Sequence, residues 1–471
     1  MGLAVPGKFD HTAAAASQPI TTDWPALFGS AELTRLTAST AANNLDVQAA
    51  AARIIQADAQ AQVTDAALLP TLDSSTNASR SWTPSTARSK TGPYRTTALN
   101  SFQLGLSASY ELDLWGRNRL AGLAAENAAV ASRFARDAVV LSSVAATVNA
   151  YLTLLSAQDR LTVVDSNLRD SRFILEAIKS RLAVGTVSAL EVAQQETLVT
   201  QVLAQYPPLQ LQLQQAKVQI AILAGRTPES LAITGGTLTR LKTPNIPAGV
   251  PSQLLRRRPD IAEAESTLAS SDADVGSAKA AFFPTLSLTA SGGFESTLLK
   301  TLLRPEAAFG NVAAGLTQPL FDGGILQGNL AAAQGRNLED LANYRKAVIQ
   351  SLVDVENALI AVQQNTELQK RLSDAVDTSR RAYDITTARL KEGTIDIVQV
   401  LQTEQALFSA QDALVTARQS RLQALASLAQ ALGGGWVQPA AVAVPALDGA
   451  LPGAARVLSG PVAAALESPR R

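Results

Sequence analysis

The residue types that carry most enzyme chemistry are scarce in this sequence. Cysteine is absent, and the single histidine is His11, in an N-terminal tail. Thiol nucleophiles, thiolate metal sites and histidine-based triads are therefore excluded. The pair Asp272 and Asp274 on a predicted helix is more typical of a solvated face than of a metal site. No phosphate-binding loop, nucleophile elbow or dinucleotide fingerprint occurs, so we predict no catalytic residue, no cofactor and no metal, and we expect that the chain is not an enzyme.

The charged residues give no reason to expect nucleic acid as a partner. Lys plus Arg and Asp plus Glu each total 40, so the formal net charge is zero. The arginine run at 256–258, directly before Pro259, could be an anion site. We favour a charged surface segment before a helix that has proline in its first turn. No run of about 18 uninterrupted apolar residues occurs, so no transmembrane helix is expected.

Two long stretches without proline dominate the chain, residues 116–182 and residues 324–390. Their apolar residues are spaced by three and four, the pattern of a helix packed in coiled-coil fashion. A rise of about 1.5 Å per residue makes each helix roughly 100 Å long. Shorter helices are predicted over residues 43–69 and 189–224, and the proline pair at 207–208 should interrupt the second one. Stacked end to end, the shorter helices nearly match the long helix, which predicts a two-layer rod.

A different period appears between the helices. Over residues 102–114 every even-numbered position is apolar, and the odd positions are polar or glycine. This alternation is typical of a strand with one oily and one wet face. Further strands are predicted over residues 71–79, from residue 286 onward and over residues 309–321.

The whole pattern occurs twice. At an offset of 214 residues, Asp46 and Pro70 reappear as Asp260 and Pro284, and at an offset of 208 the turn at 181–186 reappears at 389–394. An internal duplication therefore organises the chain. The predicted division is an entry segment (1–42), a first repeat (43–225), an equatorial connector (226–258), a second repeat (259–433) and a partly disordered tail (434–471).

The four strands predict a membrane barrel that is shared between subunits. Strands of this length and polarity are typical of outer-membrane β-barrels, and four strands cannot leave open edges in lipid. A dimer would give eight strands and a trimer twelve, and long helices around a channel favour the trimer. The alternative, a soluble coiled-coil scaffold, leaves the oily strand faces unexplained. The residues of the second strand that we expect to face lipid are Phe102, Leu104, Leu106, Ala108, Tyr110 and Leu112.

Five sequence motifs, taken together, are highly specific for one protein family. They are Tyr-Glu-Leu-Asp-Leu-Trp-Gly-Arg at 110–117, Leu-Leu-Arg-Arg-Arg-Pro-Asp-Ile at 254–261, Phe-Phe-Pro-Thr-Leu at 282–286, Leu-Thr-Gln-Pro-Leu-Phe-Asp-Gly-Gly at 316–324, and the two Arg-Leu-x-x-Gly-Thr turns. Over about residues 21–436 the chain resembles the outer-membrane factor family. These proteins are the TolC-like exit ducts of tripartite efflux pumps and type I secretion systems. The most similar branch is the OprM/NodT-like one of multidrug efflux.

The resemblance implies a mainly α fold with a β-barrel portion. It implies a homotrimer in which twelve strands form an outer-membrane barrel above a periplasmic α-helical barrel. A periplasmic adaptor and an inner-membrane transporter would complete an efflux pump, and an exit duct for type I protein secretion is the alternative. Members of this branch usually begin with a signal peptide and an acylated cysteine. Because neither is found here, we expect a truncated or misassigned start.

The resemblance also suggests roles for the two turns. We expect them to dock the adaptor, although the same residues could simply end helices. The expected docking residues are Arg181, Leu182, Gly185 and Thr186, with their counterparts Arg389, Leu390, Gly393 and Thr394.

A pore constriction is expected just after the second turn. Related ducts often narrow there at acidic residues, whereas the matching positions in this chain are Gln399 and Gln402. We expect a tip closed by side-chain hydrogen bonds and by packing of Val398, with weak cation selectivity. Glu191, taken as the nearest remaining carboxylate, would carry the charge. The alternative is that the glutamines are ordinary polar residues of a coiled-coil surface.

Overall fold

The computed structural model describes residue 9 and residues 21–83, 97–247 and 249–439 of the chain. His11 and most of the predicted C-terminal tail lie outside the described residues. The α-helices are α1 (Ala31–Asn43), α2 (Leu45–Asp65), α3 (Arg117–Ala183), α4 (Ala189–Ala204), α5 (Tyr206–Leu223), α6 (Pro251–Leu254), α7 (Pro259–Ala280), α8 (Ile325–Lys391) and α9 (Ile397–Ala431). The strands are β1 (Thr71–Thr83), β2 (Thr97–Leu112), β3 (Thr285–Ser296) and β4 (Ala308–Thr317).

The two long helices confirm the prediction from apolar spacing. α3 and α8 each contain 67 residues, and each begins and ends one residue later than predicted. Residues of α3 at the predicted spacing, Val148, Tyr151 and Leu155, are buried. The return helix of the first half is interrupted as predicted, because α4 ends at Ala204 and the proline pair at 207–208 lies in the first turn of α5. Proline is tolerated there because the first N–H groups of a helix have no intrahelical acceptor.

The expectation about transmembrane helices was too strict. One 18-residue window of α3 has a mean hydropathy of 1.7, which by length and composition would allow a membrane crossing. The test for uninterrupted apolar runs missed this window because it ignores mean hydropathy. Inside the chain 44% of the window is buried.

The hydrophobic core is unevenly distributed along the rod. The main cluster of buried side chains surrounds the middle of α3, where Leu152 and Leu155 pack with Trp24 and Phe28 of the entry segment and with Leu428 of α9. A much smaller cluster lies near the ends of the long helices. It contains Ile174, Ile178, Tyr383, Ile397, Val400 and Leu407.

The four strands form one antiparallel sheet in the order β1-β2-β3-β4. The prediction from alternation began β2 five residues too late, because Leu99 and Asn100 break the alternation of apolar and polar positions. It placed the end of β4 four residues too late. Pro319 follows shortly after Thr317 and has no N–H to donate to a ladder.

The register of the sheet gathers most apolar residues of β2, β3 and β4 on one face. Leu104 lies opposite Phe294, and Ala108 lies opposite Ala290, which in turn lies opposite Val312. Because alternate residues of a strand point to opposite sides, the serine-rich positions of β1, β2 and β3 share the other face, together with Phe309 of β4. Within the described residues, β1 and β4 each pair on one side only.

The internal duplication is visible in matching helix ends. Gly225 follows α5 and Gly433 follows α9, both with positive φ, +65° and +86°. A Cβ atom on Gly225 would lie 2.1 Å from the carbonyl oxygen of Asn43, and one on Gly433 would lie 1.9 Å from that of Arg257. Asn43 and Arg257 are themselves separated by the repeat offset of 214 residues. The same close backbone approach therefore closes both repeats.

The arginine run before α7 is not simply a surface segment. The side chain of Arg258 is 12% exposed, and it lies 2.6 Å from the Asp260 carboxylate and 3.0 Å from that of Asp354 in α8. Burial disfavours the charged guanidinium, but the hydrogen bonds and charges of the two aspartates outweigh burial and raise the pKa of Arg258. The expected surface run is therefore wrong for Arg258, whereas Pro259 does begin α7.

We predict that Gly225→Ala lowers the thermal unfolding midpoint more than Gly185→Ala does. Both positions have positive φ, which costs an L-residue roughly 1–2 kcal/mol. Only the alanine at 225 also meets backbone atoms, because nothing lies within 4 Å of a Cβ placed on Gly185. Circular dichroism on heating measures the difference. Equal midpoints for the two variants would show that the close approach at Asn43 is relaxed at little cost.

Candidate functional site

Both hairpins end in the same backbone turn. The Thr186 N–H donates to the Arg181 carbonyl at 3.0 Å, and the Thr394 N–H donates to the Arg389 carbonyl at 3.0 Å. This six-to-one hydrogen bond is the Schellman arrangement, and it needs the positive φ values of +75° at Gly185 and +73° at Gly393. The predicted docking residues therefore form two matching tips, which we call tip 1 (181–186) and tip 2 (389–394).

A side chain of tip 1 contacts tip 2. Nη2 of Arg181 donates to the Leu390 carbonyl oxygen at 2.9 Å. A cation at the C-terminus of a helix is favourable because the last carbonyl groups carry partial negative charge. Arg181 therefore joins α3 to the end of α8. The glycines remain open, because no atom of the described residues lies within 4 Å of a Cβ placed on Gly185 or Gly393.

The helices that leave the two tips are capped by carboxylates. The Glu191 carboxylate accepts the Ser188 N–H in a capping box, which occupies the side chain that we expected to charge the pore. Asp396 accepts the Val398 N–H at 3.2 Å. The expectation that Glu191 is the nearest carboxylate was therefore wrong, because Asp396 lies two residues before Val398. A groove of about 560 Å³ has Gly185, Glu191, Asp396 and Val398 among its lining residues.

The predicted constriction residues lie on the outer side of the first turns of α9. Val398 is 37% exposed, whereas Val400 is fully buried. Gln399 and Gln402 are exposed as well. The structure thus brings the three residues to one surface, directed away from the core of the protomer.

A buried carboxylate lies behind this surface. Glu404 is fully buried, and it accepts a hydrogen bond from the Ser171 hydroxyl at 2.5 Å. Gln195 Nε2 lies 3.5 Å from the second carboxylate oxygen and donates to the Ser171 carbonyl at 3.0 Å. Glu404 therefore links α3, α4 and α9.

Burial keeps a proton on Glu404 near neutral pH. Burial is the main cause that raises the pKa of Glu404 to about 7, the hydrogen bonds from Ser171 and Gln195 oppose it, and the nearby charge of Asp170 adds to it. Among the described residues no cation pairs with Glu404. Tyr383 of α8 also faces it, and burial together with the charges of Glu404 and Asp170 raises the pKa of Tyr383 to about 12.

The sequence contains a signal for Glu404 that we did not use. Val400, Glu404 and Leu407 follow the spacing of four and three that marks the buried side of α9. A charged residue at such a position is rarely buried unless it is paired or protonated.

The predicted lipid-facing residues all lie on the apolar face of the sheet. Phe102, Leu104 and their alternate neighbours up to Leu112 share that face with the apolar residues of β3 and β4. Just beyond the C-terminal end of β2, the Trp115 and Phe283 rings stack with their centroids 4.9 Å apart. The Trp115 indole donates to the Pro284 carbonyl at 2.7 Å. An aromatic pair with a satisfied polar group is suited to a membrane–water boundary.

We predict that Glu404→Gln removes part of the pH dependence of stability. The folded state raises the pKa of Glu404 above its unfolded value, so the folded state holds a proton that the unfolded state has lost between about pH 4.5 and about pH 7. The native protein should therefore lose stability as the pH rises from 5.5 to 8. Glutamine keeps the hydrogen-bonding shape without a titrating proton, so the variant should lose less. Thermal unfolding midpoints at the two pH values measure this, and equal pH dependence in both proteins would contradict it.

Three comparisons with known proteins all find outer-membrane export or channel proteins similar to this chain. A family model described as outer membrane efflux protein matches residues 36–226 and 250–434. The chain is 35% identical over 445 residues to the pyoverdine export outer membrane protein OpmQ of Pseudomonas aeruginosa, which covers 92% of each chain. The CmeC outer membrane channel of Campylobacter jejuni matches with a TM-score of 0.85 at 26% identity, over 93% of this chain and 95% of that one. The open state of the MtrE outer membrane channel of Neisseria gonorrhoeae matches with a TM-score of 0.81 at 29% identity, over 92% and 96%.

Proposed function

Because this chain belongs to the outer membrane efflux protein family, we propose specific roles for its strand face, its two tips and the start of α9. The protein is a homotrimeric outer-membrane exit duct that extends into the periplasm and works with a periplasmic adaptor and an inner-membrane transporter. We propose that conduction is passive, that the transporter supplies the energy, and that the chain has no enzymatic activity of its own.

The observation that carries these roles is the division of polarity between the two faces of the sheet. At one end, the register places apolar side chains on a single face of the sheet. This face includes Leu104, Leu106 and Ala108, and we propose that it faces lipid, with the serine-rich face lining the barrel. At the other end the exposed surface mixes polar side chains with apolar ones such as Val184 and Leu190. A trimer of such chains has an apolar belt that faces lipid around a polar barrel interior.

We propose that both tips dock the adaptor. Support comes from the open surface at Gly185 and Gly393, from the identical turns, and from their place at the end farthest from the sheet. The leucine and threonine side chains of the tips are then the contacts, and Arg181 instead joins the two hairpins through its bond to the Leu390 carbonyl. This role for Arg181 refines the expectation that it contacts the adaptor.

We predict that Gly185→Asp combined with Gly393→Asp abolishes efflux and leaves trimers in the outer membrane. The aspartates add bulk and charge to both docking surfaces, whereas no atom in the described part of the protomer lies within 4 Å of a Cβ at either position. The matched control is Gly185→Ala with Gly393→Ala, which adds the same backbone strain with little bulk. Drug susceptibility and a native gel of the membranes measure the two effects. Full efflux in the aspartate variant would show that the turns only end helices.

We propose that Val398, Gln399 and Gln402 form the constriction. Their exposure beside the buried Val400 supports this, because a surface directed away from the protomer can meet its copies around the channel axis. Each position would occur three times in the ring. Glutamines then supply neutral hydrogen-bonding groups, and Asp396 supplies the nearest carboxylate, held as a helix cap.

We predict that Gln402→Asp increases cation selectivity and block by divalent cations. Three added carboxylates at a narrow ring would raise the local concentration of cations. Gln402→Asn shortens the side chain equally without charge and serves as the control. Single-channel recording in lipid bilayers measures both properties. Unchanged selectivity in the aspartate variant would place residue 402 away from the constriction.

A further inference from the structure

One face of α8 has no covering helix in the described part of the chain. Beyond Leu359, Tyr383 is the one residue of α8 that is fully buried. The corresponding part of α3 is well buried because α4 and α5 pack on α3 in addition to α9. Buried residues of α3 in that part include Val164, Asn167, Ser171, Ile174 and Ile178.

We propose that this face of α8 receives α4 from the next subunit, in the arrangement that α9 has on α3. The inference rests on the homotrimeric channel stated above and is independent of docking and gating. In a closed ring of two-hairpin subunits, the free side of the second hairpin must meet the first hairpin of a neighbour. The offset of 208 residues relates α3 to α8 and α4 to the start of α9. Each contact between α3 and α9 therefore predicts a contact between α8 and the neighbour's α4.

The first contact to transfer is the buried serine–glutamate pair. Ser171 and Glu404 bond within the protomer, and their counterparts at the 208-residue offset are Ser379 and Glu196. Both residue types are retained. Ser379 is partly exposed on α8, and the Glu196 side chain is 51% exposed on α4. The repeat thus assigns Ser379 of one subunit to Glu196 of the next.

The second contact to transfer is the arginine bond between the tips. Arg181 donates to the Leu390 carbonyl inside the protomer, and the counterparts are Arg389 and Leu182. Arg389 is exposed at the end of α8. The Leu182 carbonyl lies in the same turn geometry as that of Leu390, since each accepts the N–H of its tip glycine. Arg389 is therefore assigned to the Leu182 carbonyl of the neighbouring subunit.

The two kinds of boundary differ in charge. Glu196 lies 3.1 Å from Lys179 Nζ in its own chain, whereas the counterpart of Lys179 is Thr387 and Glu404 has no cation among the described residues. Inside the subunit, the Glu404 carboxyl group is accommodated by the Ser171 hydroxyl and the Gln195 amide. Between subunits, Lys179 supplies the compensating charge for Glu196 when the neighbouring α8 covers it. Removing one partner of a covered ion pair leaves an uncompensated charge.

Cysteine cross-linking tests the assigned pairs, because the chain has no cysteine of its own. Glu196→Cys with Ser379→Cys should give covalent dimers and trimers on a denaturing gel after treatment of membranes with a short bis-maleimide. Leu182→Cys with Arg389→Cys should do the same. The matched control is Arg181→Cys with Leu390→Cys, which should link one chain to itself and give no ladder.

The outcomes separate the pairing from the channel itself. Ladders in both test pairs support the pairing, even in a variant that has lost efflux. Intact trimers on a native gel without ladders would overturn the pairing alone. Monomers on the native gel would overturn the pairing together with the trimeric channel.

Removal of the charge on Lys179, alone and together with that on Glu196, tests the role of Lys179 without cross-linking. Lys179→Thr copies the residue found at position 387, and it should lower the fraction of trimer that resists mild SDS. Adding Glu196→Gln should restore that fraction, because the uncompensated negative charge of Glu196 is then removed. Equal SDS resistance of wild type and Lys179→Thr would overturn the assignment of Glu196 to a covered subunit boundary.

Discussion

The need to satisfy every backbone hydrogen bond in lipid governs this molecule. Within the described residues each outer strand of the sheet pairs on one side only, and such an edge is not tolerated in a bilayer. The chain therefore functions as part of a ring, in which the edges of one subunit meet those of the next. The helices must follow the same ring, because α3 begins directly after β2 and α8 follows β4 across a short turn. Two strands and one helical hairpin per repeat is the arrangement that lets barrel and rod share one axis.

The packing along the rod divides it into a stable middle and a less stable end. Around Trp24 and Leu152 the core is extensive, whereas near the tips it is a small cluster with polar groups beside it. Elements with few buried apolar contacts open at lower free energy. The tip end is therefore the part of the rod that opens at the lowest free energy. Glu404 belongs to the polar part, and its proton couples the packing of three helices to pH.

Local sequence signals predicted much of the fold, and long-range contacts limited the rest. The spacing of apolar residues predicted α3 and α8 to within one residue, and the proline pair predicted the break after α4. These features depend on neighbours in the sequence. The burial of Arg258 depends on Asp354, 96 residues away, and that of Glu404 depends on Ser171, 233 residues away. Neither distance can be read from one sequence, although Asp396 two residues ahead of Val398 was a local capping signal that we overlooked.

The covalent joining of two repeats also affects how such a ring can evolve. In an assembly of six identical hairpins, one substitution would change every boundary between hairpins at once. Any loss of packing stability would then occur six times. With two repeats in one gene, a substitution reaches only alternate boundaries. Thr387 and Lys179, at equivalent positions of the two repeats, show that the halves have already diverged in charge. Two repeats in one chain thus give natural selection two independent sets of three boundaries on which to act.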